Sequence, residues 1–111
     1  SRQVIERVDA WIRAHAVQSI SLDELRAVAG VSARTLQEAC LAHWGQTPIE
    51  LVASRRLEIA RSLLSSGRAP TVTAAALHSG FSHLGRFSVV YKRAFGESPS
   101  DTLARTAATR S

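Results

Sequence analysis

An all-α fold, built from two short helix pairs on either side of one long helix, follows from three features of the sequence. Apolar residues recur at three- and four-residue spacing through most of the chain. Capping residues and glycines punctuate that periodicity at regular places. The segment GVSARTLQEACLAHWGQTP then returns in the second half as GFSHLGRFSVVYKRAFGESP, so the fold contains an internal repeat.

Each element can be justified in order. Val4, Ile5, Val8, Trp11 and Ile12 recur at helical spacing with Glu6, Arg7, Asp9 and Arg13 between them, which predicts an amphipathic helix over residues 3–15. In ISLDEL, Ser21 is an N-cap, Glu24 its capping-box partner, and Ile20 with Leu25 a hydrophobic staple, so a helix starts at Leu22 and runs to Ala29. Gly30 can adopt the left-handed conformation that ends it, Val31 plugs the turn, and Ser32 caps a second helix over 33–44. That helix keeps Leu36, Trp44 and either Ala39 or Cys40 on one face and stops at Gly45.

Thr47 as N-cap and Pro48 at the first helical position open the long helix, with Ile49, Val52, Ile59, Ala60 and Leu63 as its apolar set and Gly67 as its stop. At about 1.5 Å per residue it spans roughly 27 Å. Thr71 or Thr73 caps a short Ala-rich helix reaching Ser79, Gly80 and Phe81 make a turn, and Ser82 caps a helix ending at Phe95 before Gly96. In the repeat, Gly30, Val31 and Ser32 align with Gly80, Phe81 and Ser82. After one extra residue, Leu36, Cys40, Trp44, Gly45 and Pro48 align with Phe87, Tyr91, Phe95, Gly96 and Pro99. The tail over 100–111 is rich in small polar residues with weak periodicity and is expected to fray.

Composition bounds the function. The chain has 111 residues, enough for one ordinary domain or two very small ones sharing contacts, and carries a formal charge of +5. The excess lies in the second half: five arginines face six acids up to residue 50, and nine basic residues face three acids beyond it. Thirteen of the fourteen basic residues are arginine, whose planar fork suits phosphate and guanine edges, so the balance points to a polyanion or to a plain solvated basic surface. Cys40 is the single cysteine, which excludes an internal disulfide and fits a reducing compartment. Its repeat partner Tyr91 puts it on the inward face, as a structural thiol. His15, His43, His78 and His83 show no metal-ligand spacing, and no nucleophile elbow, phosphate-binding glycine loop or paired carboxylate stands out. An enzyme is therefore not expected, nor is a cofactor or metal. No stretch approaches a transmembrane span, and SRQVIERVDAWIRAHA lacks the apolar core of a signal peptide.

A short helix, a glycine turn and a second helix with a polar outer face make a helix-turn-helix, whose second helix enters the major groove of DNA. Here there are two, about residues 20–46 and 71–98, with the linking helix over about 48–66 between them. Successive major grooves on one face of DNA lie about 34 Å apart, the size of the linking helix plus helix radii.

SLDELRAVAGVSARTL, RRLEIARSLL and above all GFSHLGRFSVVYKRAFGESP resemble the DNA-binding region of the AraC/XylS family of transcriptional regulators, from about Ser19 to Arg105. The resemblance implies about seven helices, sequence-specific binding of double-stranded DNA by two recognition helices in successive major grooves, and a place in the bacterial cytoplasm. Its implied partners are DNA, RNA polymerase, and an effector-binding or dimerisation domain for which this chain has no segment; no membrane is involved. Carried onto this sequence, the DNA-facing positions are Arg34, Thr35, Gln37 and Glu38 in the first unit. In the second they are Ser82, His83, Leu84, Gly85, Arg86 and Val89, with Lys92 and Arg93 on phosphate or merely solvated.

Arg34 can fork onto guanine and Gln37 pair with adenine, while Glu38 either accepts from cytosine or pairs locally with Arg34. Arg86 is nearly the sole hydrogen-bonding group among the central positions of the second unit. Leu84 and Val89 can meet thymine methyls, and Gly85 can let the backbone approach. Arg55 and Arg56 either reach phosphates or pair with Glu58, Glu50 or an acid elsewhere. The alternative to DNA readout is a helical protein-interaction module.

Overall fold

The computed structural model describes residues 2–110, and among these the chain is seven α-helices with no strand. They are α1 (Arg2–His15), α2 (Leu22–Ala29), α3 (Ala33–Trp44), α4 (Pro48–Ser66), α5 (Val72–His78), α6 (Leu84–Phe95) and α7 (Pro99–Arg110). The chain divides into two compact units, residues 1–55 and 56–111, with the boundary inside α4.

Unit one packs α1, α2, α3 and the start of α4 around Val8, Ile12, Leu25, Leu36, Cys40 and Leu51, with Trp11, Ile20, Val31 and Trp44 closing its edge. Local chemistry sets its breaks as the sequence predicts. Ser21 Oγ accepts from the Glu24 amide while Glu24 accepts from the Ser21 amide, a complete capping box. Gly30 ends α2 at φ 71°, a left-handed conformation that any side chain would strain, and Ser32 caps α3 by accepting from the Thr35 amide. The turn between α2 and α3 is therefore fixed at both ends.

Unit two packs the rest of α4 with α5, α6 and α7 around Leu57, Ala60, Leu64, Ala75, Ala76, Phe87 and Tyr91. Thr71, not Thr73, caps α5 by accepting from the Ala74 amide. Small alanines at 75 and 76 are fully buried, which lets large rings of α6 fill the space above them.

Three expectations are corrected. Residues 99–110 form α7 rather than a frayed tail: Ser98 Oγ accepts from the Asp101 amide, Asp101 accepts from the Ser98 amide, and Pro99 is buried at the first helical position. Thr102, fully buried, then bonds to Tyr91, which anchors the helix to α6. Ser82 does not cap α6, because the extra residue in the second repeat moves the N-cap to His83, whose side chain makes no capping bond. In α4 the inward positions are Leu51, Val52, Leu57, Ala60 and Leu64; of the expected apolar set Val52 and Ala60 are buried, whereas Ile49 is half exposed and Ile59 and Leu63 are only partly buried.

Candidate nucleic-acid interface

The second helix of each pair is held from behind and bare in front. In α3, Leu36 and Cys40 are fully buried, and burial pushes the Cys40 thiol pKa up, so it sits there as a small apolar group. On its outer face, Arg34, Thr35, Gln37 and Glu38 are exposed. Arg34 Nε donates to Glu38 Oε1 at 3.0 Å, the local pairing foreseen from their spacing, but the side chains are 90% and 67% exposed. Water screens so open a pair, and it yields readily to a stronger acceptor. The Thr35 hydroxyl accepts from Ser32 Oγ at 3.0 Å and so belongs to the helix cap, while its own proton stays available for an outside acceptor.

In α6 the backing is aromatic. Phe81, Phe87, Tyr91 and Phe95 form a ladder with successive ring centroids 4.9, 5.6 and 4.7 Å apart. Opposite this ladder lie Gly85, Arg86, Val89, Lys92 and Arg93, all exposed and joined into one face by their three- and four-residue spacing. The side chains of Arg86, Lys92 and Arg93 have neither an ion pair nor a hydrogen bond among the described residues. Ser82 and His83 are exposed just before the helix, and Leu84 is 42% exposed at its start. The charge face and the aromatic face thus share one helix, and only the second is used by the fold.

The arginines of α4 take a different part. Arg55 donates to Asp9 Oδ1 at 2.6 Å and lies 5.7 Å from the Trp44 ring centroid, so it finds an acid on α1. Arg61 lies 4.5 Å over the Phe95 ring. Trp44 and Phe95 are partners in the repeat, and in each unit a guanidinium from α4 covers the last ring of the outward-facing helix. Sequence reasoning passed over Arg61, although the Trp44–Phe95 pairing together with an arginine-rich α4 carried the signal.

It also missed the brace behind α6. Tyr91 Oη donates to Thr102 Oγ1 at 2.8 Å, the Thr102 hydroxyl donates to Glu97, and Arg105 grips both Glu97 oxygens at 2.6 and 2.8 Å. Arg105 first, and the Thr102 hydrogen bond second, hold the Glu97 carboxyl down to about 2. Among the described residues no His, Cys, Asp or Glu side chains gather as a metal site, and no helix is long and apolar enough to cross a membrane.

Two glycine-turned helix pairs, each presenting a backed helix with a polar outer face, are the features that comparison with known proteins can decide. A family described as a helix-turn-helix domain matches residues 25–105. A probable AraC family transcriptional regulator from Rhodopseudomonas palustris is 40% identical, superposes with a TM-score of 0.85, and covers 94% of this chain and 97% of that one. This chain belongs to the AraC/XylS family. The XylDLEGF operon transcriptional activator 2 of Pseudomonas putida is 42% identical over 104 residues, covering 89% of this AraC/XylS chain and 64% of its own length. The chain spans 31% of a longer activator of the same operon. The DNA-binding domain of AdpA, a global transcriptional factor solved in complex with a target DNA, superposes with a TM-score of 0.83 at 26% identity, covering 96% and 95% of the two chains.

Proposed function

We infer that this chain is the DNA-binding module of a bacterial transcriptional regulator and that it recognises a specific double-stranded sequence, reading one major-groove segment with α3 and the next with α6. The observation that carries this reading is the face of α6 on which the side chains of Arg86, Lys92 and Arg93 have no ion pair or hydrogen bond among the described residues, on a helix otherwise locked by its aromatic side. Three unneutralised cations on one rigid face serve a polyanion, and a helix in this position of a helix-turn-helix serves a major groove. In this reading Arg34, Gln37 and Arg86 address base edges. Thr35, Ser82, His83, Lys92 and Arg93 position the phosphate backbone, Glu38 releases Arg34 or accepts from cytosine, and Gly85 and Val89 lie against the groove.

The wider partners belong to the same reading: RNA polymerase at the promoter, and an effector-binding or dimerisation domain in the full-length protein, working in the bacterial cytoplasm. No catalytic role is proposed. Titration of variants against a specific and a random duplex tests it. Arg34→Ala and Arg86→Ala are expected to cost roughly 1 to 3 kcal/mol on the specific site and to relax preference at a few base pairs. Arg93→Ala is expected to weaken both duplexes alike and to reduce the salt slope by about 1. Equal losses on both duplexes for Arg86→Ala would count against base readout, and absence of salt-dependent binding would favour a protein-interaction module.

A further inference from the structure

The fold makes no use of a glycine at position 85. Gly85 is the second residue of α6, its φ is not positive, and a Cβ added there would meet nothing within 4 Å. Glycine disfavours helix because it loses the most backbone freedom on ordering, so alanine would serve the isolated domain better. The residue that shares its face one turn on, Val89, is 57% exposed where an outward helical position ordinarily carries a polar group. Around this pair stand Arg86, three residues before Val89, with Lys92 and Arg93, three and four residues after it, none with a side-chain partner among the described residues.

A bare stretch of helix backbone and one branched apolar side chain, flanked by three exposed cations, suits a partner that is anionic around its edges and apolar at one projecting point. A protein or lipid partner would call for a broader apolar patch and fewer cations. A DNA major groove meets the description, since the C5-methyl of thymine is its apolar projection between two rows of phosphates. We propose that Gly85 and Val89 form a thymine-methyl contact: the missing side chain at 85 lets the first turn of α6 descend onto the groove floor, and Val89 packs on the C5-methyl of one thymine. This assignment rests on the DNA-binding reading above.

The test replaces each thymine of the half-site bound by α6, one at a time, with deoxyuridine, which removes the methyl and leaves every hydrogen-bonding group. Binding of the unmodified protein, Val89→Ala and Gly85→Ala is followed by fluorescence anisotropy, and the melting temperature of each is measured alongside. At one thymine, deoxyuridine is expected to weaken the unmodified protein about fourfold, the worth of one buried carbon at about 0.8 kcal/mol. Val89→Ala is expected to bind the thymine site more weakly and to be indifferent to that replacement. Gly85→Ala is expected to melt no lower than the unmodified protein and still to bind the site several-fold more weakly. Specific binding with no deoxyuridine effect at any position, a Val89→Ala protein that keeps the full effect, or a Gly85→Ala protein that binds as tightly as the unmodified one would each overturn the contact. Failure of the unmodified protein to prefer any duplex would instead overturn the DNA-binding reading.

Discussion

Arg55 and Arg86 are both arginines in the basic half of the chain, and the structure gives them opposite fates on substitution. Arg55 donates to Asp9 at 2.6 Å with the two side chains only 14% and 22% exposed, and its guanidinium covers Trp44. A charge-assisted hydrogen bond in such a setting contributes about 1.5 to 3 kcal/mol and the ring contact about 0.5 to 1. Asp9 keeps a second partner in Arg13 at 3.4 Å, so it is not left wholly unpaired and the lower half of that range applies. Arg55→Ala is therefore expected to destabilise unit one by about 2 to 3 kcal/mol. At about 4 to 8 °C per kcal/mol for a small domain, the melting temperature falls by roughly 10 to 20 °C. Trp11 and Trp44 both lie in unit one, so thermal unfolding followed by tryptophan fluorescence reads this unit directly. Arg55→Lys is expected to recover part of the loss, keeping the charge but not the planar fork. Below its melting point the Arg55→Ala protein is expected to bind DNA nearly normally. An unchanged melting temperature with a uniform loss of DNA affinity would refute this assignment and make Arg55 a phosphate contact.

Unit two supplies the other predictions. Thr102→Val leaves the Tyr91 hydroxyl buried without its partner and is expected to cost about 1 to 3 kcal/mol by urea unfolding, while adding Tyr91→Phe to it is expected to recover part of the loss; simple additivity of the two would show that they do not interact. Glu97 is held to about 2 in the folded chain and has an ordinary carboxylate value when unfolded, so between those values the unfolded chain binds the extra proton. Its contribution is complete above the ordinary carboxylate range and is lost as pH falls towards about 2; acid unfolding of Glu97→Gln is expected to be less steep there, and an unchanged profile would contradict the brace. Cys40 is expected to react slowly with a thiol reagent in the native state and rapidly in denaturant, because burial both hides the sulfur and raises its pKa. Rapid native modification would contradict its burial.

The sequence made most of this fold readable because its breaks are chemically explicit. Ser21 with Glu24, Gly30, Ser32 and Pro48 each permit few local conformations; α2 begins and ends at the first two sites, and α3 and α4 begin at the others. The failures came where a local signal was weak or was not carried across the repeat. Ser98, Pro99 and Asp101 restate the cap of Thr47, Pro48 and Glu50, in which Thr47 Oγ1 accepts from the Glu50 amide and Glu50 accepts from the Thr47 amide. Extending the alignment through them would have found α7, whose body of small residues shows little periodicity of its own. The inward set of α4 was only partly read, with Val52 and Ala60 correct, because Leu, Ile and Ala occur on several of its faces and only tertiary packing selects among them. Of the interface, the exposed face of α6 was legible from residue spacing, but the Asp9 partner of Arg55 was not, since a long-range ion pair leaves no local pattern, and the ring under Arg61 was signalled only by the repeat.

The most direct measurement is selection of bound sites from a randomised duplex library at near-physiological salt, followed by sequencing. The account predicts an enriched site with two short blocks about one helical turn apart, whose second block loses its preference in Arg86→Ala. A single enriched block would contradict base reading by α6, and no enrichment at all would contradict sequence-specific DNA recognition by this chain.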